Sequence, residues 1–363
     1  MHTTIPDPVS IPVVDVRDGG PVRHAAEGRT RARALRDDCL TWLPPPVRPL
    51  LPAMDACTRH WLRRSCSPYV RDVERIVAAL GFPGIWFLNG SYAWGCTTAA
   101  REEDGAPWLV RTLDWPFRGL GRHLEIARMR GDAGEFVSVT WPGYAGTLTA
   151  MAPGRFAAAI NQAPLRRHTR RPWLRPCDLA INALRTWPIR FSPPDHLLRE
   201  VFESCGDFGA ARRRLETTPI ARPVIFTLIG CGRGERCVIE RTEETFATRV
   251  EDTVAANDWL HSTPPWEARV GATLFLTSSS AEAAARSRMR REALCAWPQS
   301  FARADFSWVT PPVLNPFTRL AVAMCAATGT LRAVGYEPEA RDALPRRVTR
   351  ICELTEPRAR PAA

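Results

Sequence analysis

The sequence predicts an α+β protein, a layered sandwich in which antiparallel strands and amphipathic helices occupy separate stretches of chain. Three observations carry this. Apolar residues recur at helical spacing over residues 51–80, short apolar runs bounded by Gly, Pro or Asp follow Gly95, and helical spacing returns after Asp178. The chain has 363 residues, 45% apolar and 24% charged, which is the composition of a packed globular protein. That length suits one large domain or two average ones.

Taken in order, residues 1–30 are polar and turn-rich and residues from 354 onward end in Pro and Arg, so both tails are expected to be disordered. Met54, Cys57, Trp61, Leu62, Val70, Val73, Ile76 and Val77 predict two helices broken near Pro68, with Gly81 as the C-cap. Strands of an antiparallel sheet are predicted over 108–110, 126–127, 136–139, 148–151 and 156–160. Helices follow over 178–187 and 196–215, then strands over 224–229, 237–240 and 246–250. A helix is expected over 281–294 and another over 316–325. The apolar run 320–325 is too short to span a bilayer.

The net charge of +11 invites a nucleic-acid reading, because basic proteins gain affinity by releasing counterions from polyanions. All 49 basic residues are arginine, though, and they are scattered. One-sided usage of this kind fits a coding bias better than a phosphate-binding face. There is also no aromatic-interleaved basic motif for stacking bases, so no nucleic-acid partner is expected. The first thirty residues contain Asp7, Asp15, Arg17 and Asp18 and lack an apolar signal-peptide core. A cytoplasmic protein with reduced cysteines, without membrane insertion, is the expectation. Cys231 and Cys237 have no partners at metal-ligand spacing, so neither metal nor cofactor is expected.

The most informative residues are Gly95, Cys96, Thr97 and Thr98, then Arg111, Leu113, Asp114 and Trp115, then the Gly143 to Gly146 turn and Asn161. A cysteine with an arginine fifteen residues on and an aspartate three further resembles the N-terminal-nucleophile hydrolases. The group it is similar to contains choloylglycine hydrolase, acid ceramidase, N-acylethanolamine acid amidase and penicillin acyl-CoA acyltransferase. The resemblance implies a four-layer αββα sandwich with antiparallel sheets. It also implies a thiol nucleophile, Cys96, whose own terminal amine serves as base. Arg111 is then expected to favour the thiolate, and Asp114 to orient the amine. Asn161 and Asn257 match the two asparagines that donate to the oxyanion. A second arginine closes the family site; Arg288 is the one expected to do so, with Arg286 and Arg269 as alternatives. Tyr144, between glycines, is read as a packing residue.

These residues predict an amidase acting on a linear N-acyl amide, with two alternatives: an acyl-CoA-dependent acyltransferase, or a catalytically silent binding protein of the same fold. The resemblance further implies self-cleavage between Gly95 and Cys96, since an internal cysteine has no basic nitrogen. Gly95 is expected to permit a strained backbone there. Residues 1–95 would form a helical propeptide or small subunit that stays bound, and residues 96–363 the catalytic domain.

Overall fold

A computed structural model describes residues 8–91, 95–261, 267–269, 279–340 and 343–357. The N-terminal segment is ordered from the start of this range. Strand β1 (Val13–Asp15) is followed by helices α1 (Gly20–Glu27), α2 (Arg29–Trp42), α3 (Leu51–Arg64), α4 (Val70–Leu80) and α5 (Ile85–Gly90). Helices α3 and α4 are the pair read from the apolar spacing, and Gly81, at φ +68, ends α4 in the left-handed conformation that glycine adopts without strain. Trp61, Leu62, Val73, Ile76, Leu80 and Trp86 join these helices in one buried cluster.

Disorder over residues 8–30 is therefore corrected, while residues 1–7 and 358–363, where disorder was also expected, lie outside the described residues. Gly19 and Gly20 turn the chain at φ +101 and +55, and His24 is buried with its ring 2.8 Å from the Glu125 carboxylate. Polar residues that look solvated in the sequence are satisfied by partners a hundred positions away.

The strands that follow are β2 (Gly95–Glu103), β3 (Ala106–Asp114), β4 (Glu125–Gly131), β5 (Gly134–Thr140), β6 (Thr149–Ala152), β7 (Phe156–Gln162) and the short β8 (Leu165–Arg166). Asp104 and Gly105, at φ +51 and +78, make the tight β2–β3 turn. Helices α6 (Arg175–Thr186), α7 (Pro194–Ser204) and α8 (Phe208–Thr217) precede β9 (Val224–Ile229), β10 (Arg236–Arg241), β11 (Phe246–Arg249), β12 (Val254–Ala255) and β13 (Ala268–Arg269). The single helix expected over 196–215 is two, because Asp207 caps α8 by accepting the Ala210 N–H at 2.7 Å. The chain ends with α9 (Ser280–Cys295), β14 (Thr318–Cys325), β15 (Thr330–Glu337), β16 (Arg346–Arg347) and β17 (Cys352–Thr355).

Among the described residues one sheet runs β1-β4-β5-β6-β7-β9-β10-β11 and a second runs β12-β2-β3-β14-β15-β16, with β17 also on β15. Pairing is antiparallel apart from β1 on β4. The two sheets pack face to face, and Thr98 and Thr227 share a hydrogen bond of 2.7 Å across them. Helices α7 and α8 cover the first sheet and α9 the second, which gives the αββα layering. No helix among the described residues is long and apolar enough to cross a membrane.

The helix expected over 316–325 is strand β14, set between β3 and β15. Leu320, Val322 and Met324 join the core between the sheets, while Ala321, Ala323 and Cys325 join the cluster under α9. Both faces are covered, so both alternate sets are apolar and the period of two is hidden. The expected C-terminal disorder is likewise corrected for residues 354–355, which pair in β17.

Candidate active site

Cys96 is the second residue of β2, and its side chain points with Thr98 and Ala100 toward the space between the sheets. Arg111 lies on the adjacent β3, opposite Thr98 and diagonal to Cys96. Its Nη2 is 2.8 Å from Cys96 Sγ, and both side chains are fully buried. The guanidinium also donates to the Leu148 carbonyl and to Thr149 Oγ1, which fixes its plane. Burial pushes the Cys96 thiol above its ordinary value, and the Arg111 charge works against that rise.

Asp114 ends β3 directly opposite Gly95. Its Oδ1 accepts from Thr318 Oγ1 at 2.9 Å, and its Oδ2 from Asn315 Nδ2 at 2.8 Å and Arg290 Nη1 at 2.6 Å. Arg290 Nη2 reaches Asn257 Oδ1 at 2.8 Å, and the same oxygen accepts the Cys96 main-chain N–H at 3.0 Å. Asn257 Nδ2 donates to the Gln162 carbonyl at 2.8 Å. In the intact chain, then, Asn257 holds the Cys96 nitrogen, the place the resemblance gave to Asp114.

The structure corrects the expectation for Arg288. Its side chain is 63% exposed and lies 3.9 Å from Glu292, whereas that of Arg290 is 13% exposed and inside the cluster. The helix dictates this. Ser287, fully buried, accepts the Asn257 N–H at 2.8 Å, and Arg290, Arg291 and Leu294 follow it at i+3, i+4 and i+7 on the same face. That spacing was the available signal. Arg286 is exposed on α9, and Arg269 pairs through its backbone with Leu165 in β13 and β8.

Asn161 is buried beside the site, but its Nδ2 lies 3.1 Å from Thr98 Oγ1, 3.2 Å from the Ala255 carbonyl and 3.1 Å from the Ala256 carbonyl. Its amide ties β12 and the Asn257 turn to β2, and donation to an oxyanion would require breaking one of these bonds. Tyr144 is buried, with its hydroxyl donating to Asp195 Oδ2 at 2.7 Å, as a packing residue would.

Sequence reasoning missed Asn315 and Thr318: Thr318 lay in the stretch 316–325 read as a helix, and Asn315 just before it. It also misjudged Gly95, whose backbone lies in β2 outside the left-handed region. A Cβ there would come within 3.3 Å of Asp114 Cβ, a slightly tight contact, and in ordinary contact at 3.6 Å with Arg290 Nη1 and Asn257 Oδ1.

Next to Asp114, Trp115 lines a small apolar hollow of about 70 Å³ with Leu35, Leu40, Leu51, Phe87 and Phe117. Helices of the N-terminal segment form most of its wall.

No family model matches the chain. It is 26% identical over 160 residues to the N-acylethanolamine-hydrolyzing acid amidase of Oryctolagus cuniculus, over 43% of this chain and 42% of that one. The chain is similar to acid amidases. The enzyme of the same name from Cavia porcellus is 24% identical over 181 residues, 48% of each chain. The chain thus spans less than half the length of these curated relatives. Among solved structures it is similar to a Caenorhabditis elegans ortholog of N-acylethanolamine-hydrolyzing acid amidase, at TM-score 0.46 and 15% identity, over 64% of this chain and 93% of that one. A variant of conjugated bile acid hydrolase from Clostridium perfringens matches at TM-score 0.41 and 11% identity, over 72% and 97%. N-acylethanolamine acid amidases are among the proteins that the Cys96, Arg111 and Asp114 set resembles.

Proposed function

We propose that this chain is a cysteine-dependent amidohydrolase that cleaves a linear N-acyl amide through a thioester on Cys96, after cutting itself between Gly95 and Cys96. The observation that carries the reading is the Cys96 environment: a buried thiol 2.8 Å from a fixed guanidinium, in a residue whose nitrogen is held 3.0 Å from Asn257. A merely structural cysteine needs neither contact.

In the precursor, Cys96 Sγ attacks the Gly95 carbonyl carbon, the C–N bond breaks, and the Cys96 nitrogen takes a proton to become an amine. Water then opens the thioester, leaving the Gly95 carboxylate and a free thiol. The amine stays at Asn257 and takes the thiol proton when Sγ attacks a substrate amide. That proton passes to the leaving amine, and water opens the acyl thioester. Arg111 favours the thiolate against burial, and Arg290 fixes Asp114 and Asn257 relative to each other. The apolar lining of the hollow at Trp115 matches the chemistry of a hydrocarbon acyl chain, although at about 70 Å³ it must widen to admit a long one.

Purified protein incubated with N-acylethanolamines and N-acyl amino acids, with and without an acyl-CoA donor, tests this. Release of free fatty acid without CoA supports hydrolysis. Acyl-CoA-dependent amide synthesis without hydrolysis, or no turnover by protein shown to be cut, overturns it.

A further inference from the structure

Asn257 holds the Cys96 nitrogen from an irregular stretch, residues 252–261, in which only Val254 and Ala255 are strand. Irregular backbone places a side chain accurately only where packing or hydrogen bonds from rigid elements hold it. Ser287 and the Gln162 carbonyl contact Asn257 itself. The path of the chain on either side of it is set by two charged side chains that the chemistry proposed above does not use.

Glu240 is on β10 and Arg249 on β11, the last two strands of the first sheet. Arg249 lies opposite Val238, two residues from Glu240 on the same face of β10. Glu240 is 0% and Arg249 3% exposed, and Arg249 Nε is 3.3 Å from Glu240 Oε1. The Arg249 guanidinium grips the start of the stretch, Nη1 donating to the Asp252 carbonyl and Nη2 to the Val254 carbonyl at 3.1 Å. The Glu240 carboxylate grips its end, Oε1 accepting the Leu260 N–H and Oε2 the His261 N–H, each at 3.0 Å. Asn257 stands between the two grips.

Stability alone is a poor reason for this pair. Desolvating two charges costs about as much as their attraction returns, and apolar residues of similar volume generally do as well or better. What the pair adds is geometry, because each charge keeps its main-chain partners in only one arrangement of the stretch. We infer that Glu240 and Arg249 are positioning residues for the Cys96 nitrogen: as one buried ion pair they clamp both ends of residues 252–261, so that Asn257 Oδ1 stands where the nitrogen is held. The kinetic consequence rests on the amidase reading; the structural one rests on the hydrogen bonds alone.

The test compares Glu240→Leu/Arg249→Met, which removes both charges and leaves neither unpaired, with Arg249→Lys, which keeps the charge but cannot span the carboxylate and two carbonyls. On cut protein the double variant is expected to lose about tenfold or more in kcat with KM within about twofold, and Arg249→Lys about threefold or more. The same double change made on Asn257→Ala should cost less than about twofold further, because the clamp acts through Asn257. Deuterium uptake by residues 252–261 should rise in both variants while that of α7 and α8 stays parental. Parental kcat in both variants, a change confined to KM, or a further tenfold loss on Asn257→Ala overturns the inference. If the double variant unfolds, Arg249→Lys decides alone, and uptake there that is parental, or that rises throughout the fold, overturns it as well. A parent that is cut yet hydrolyses no amide sinks the amidase reading, and the uptake measurement still decides the clamp.

Discussion

Arg290 Nη1 lies 2.6 Å from Asp114 Oδ2, so a helix of one outer layer is pinned to the strand end opposite Gly95. The same guanidinium reaches Asn257, which holds the Cys96 nitrogen. Arg290→Gln is therefore expected to lower kcat by about a hundredfold or more and slow self-cleavage, whereas Arg288→Gln keeps near-parental activity. Asp114 retains Thr318 and Asn315, so the loss of stability should stay at about 1–3 kcal/mol. Steady-state kinetics and urea unfolding of both variants check this; equal loss in the two, or none in Arg290→Gln, refutes the assignment.

Cys96→Ala should remain a single chain without activity, while the parent separates on denaturing gels into pieces of 95 and 268 residues. N-terminal sequencing of the larger piece is expected to begin Cys-Thr-Thr-Ala-Ala. An uncut parent with full amidase activity defeats both the processing and the terminal-amine base.

Gly95→Ala tests the close approach. Its Cβ would press on Asp114 Cβ at 3.3 Å, so self-cleavage should slow by up to about tenfold without global unfolding, and Gly95→Val should slow it further. Time courses of precursor conversion decide; parental rates in both variants would show that the site tolerates a side chain.

Asn257→Ala is expected to reduce kcat far more than it raises KM, since Asn257 positions the reacting nitrogen and does not hold the acyl chain. A change confined to KM moves Asn257 to substrate binding.

His196 gives a pH test. Burial holds its ring below the ordinary value of 6.5, more strongly than the Asp195 carboxylate raises it, so it is neutral in the fold. As pH falls through 6.5 the unfolded chain takes up a proton that the folded chain refuses, and stability is lost with acidification, by up to about 1.4 kcal/mol per pH unit. His196→Asn, whose amide stands where Nδ1 does, can keep the bond to Ser67 and should show a shallower loss between pH 6.5 and 5. Matching slopes of urea midpoint against pH would exclude this contribution.

What the sequence by itself determined was local and periodic. The helices α3, α4 and α9, the strands from β3 to β7 and the C-cap at Gly81 were legible, because spacing along one strand or helix fixes which side chains share a face, whereas Cys96, Arg111 and Asp114 were picked out by the family resemblance. Tertiary structure decided the rest. Strand β14 is a strand because both of its faces are covered, and residues 13–15 join a sheet because β4 offers an edge. The tertiary fold also settled which of two arginines two residues apart reaches Asp114, since a helix turns 200° over that step and only the position of the neighbouring sheet says which way is in.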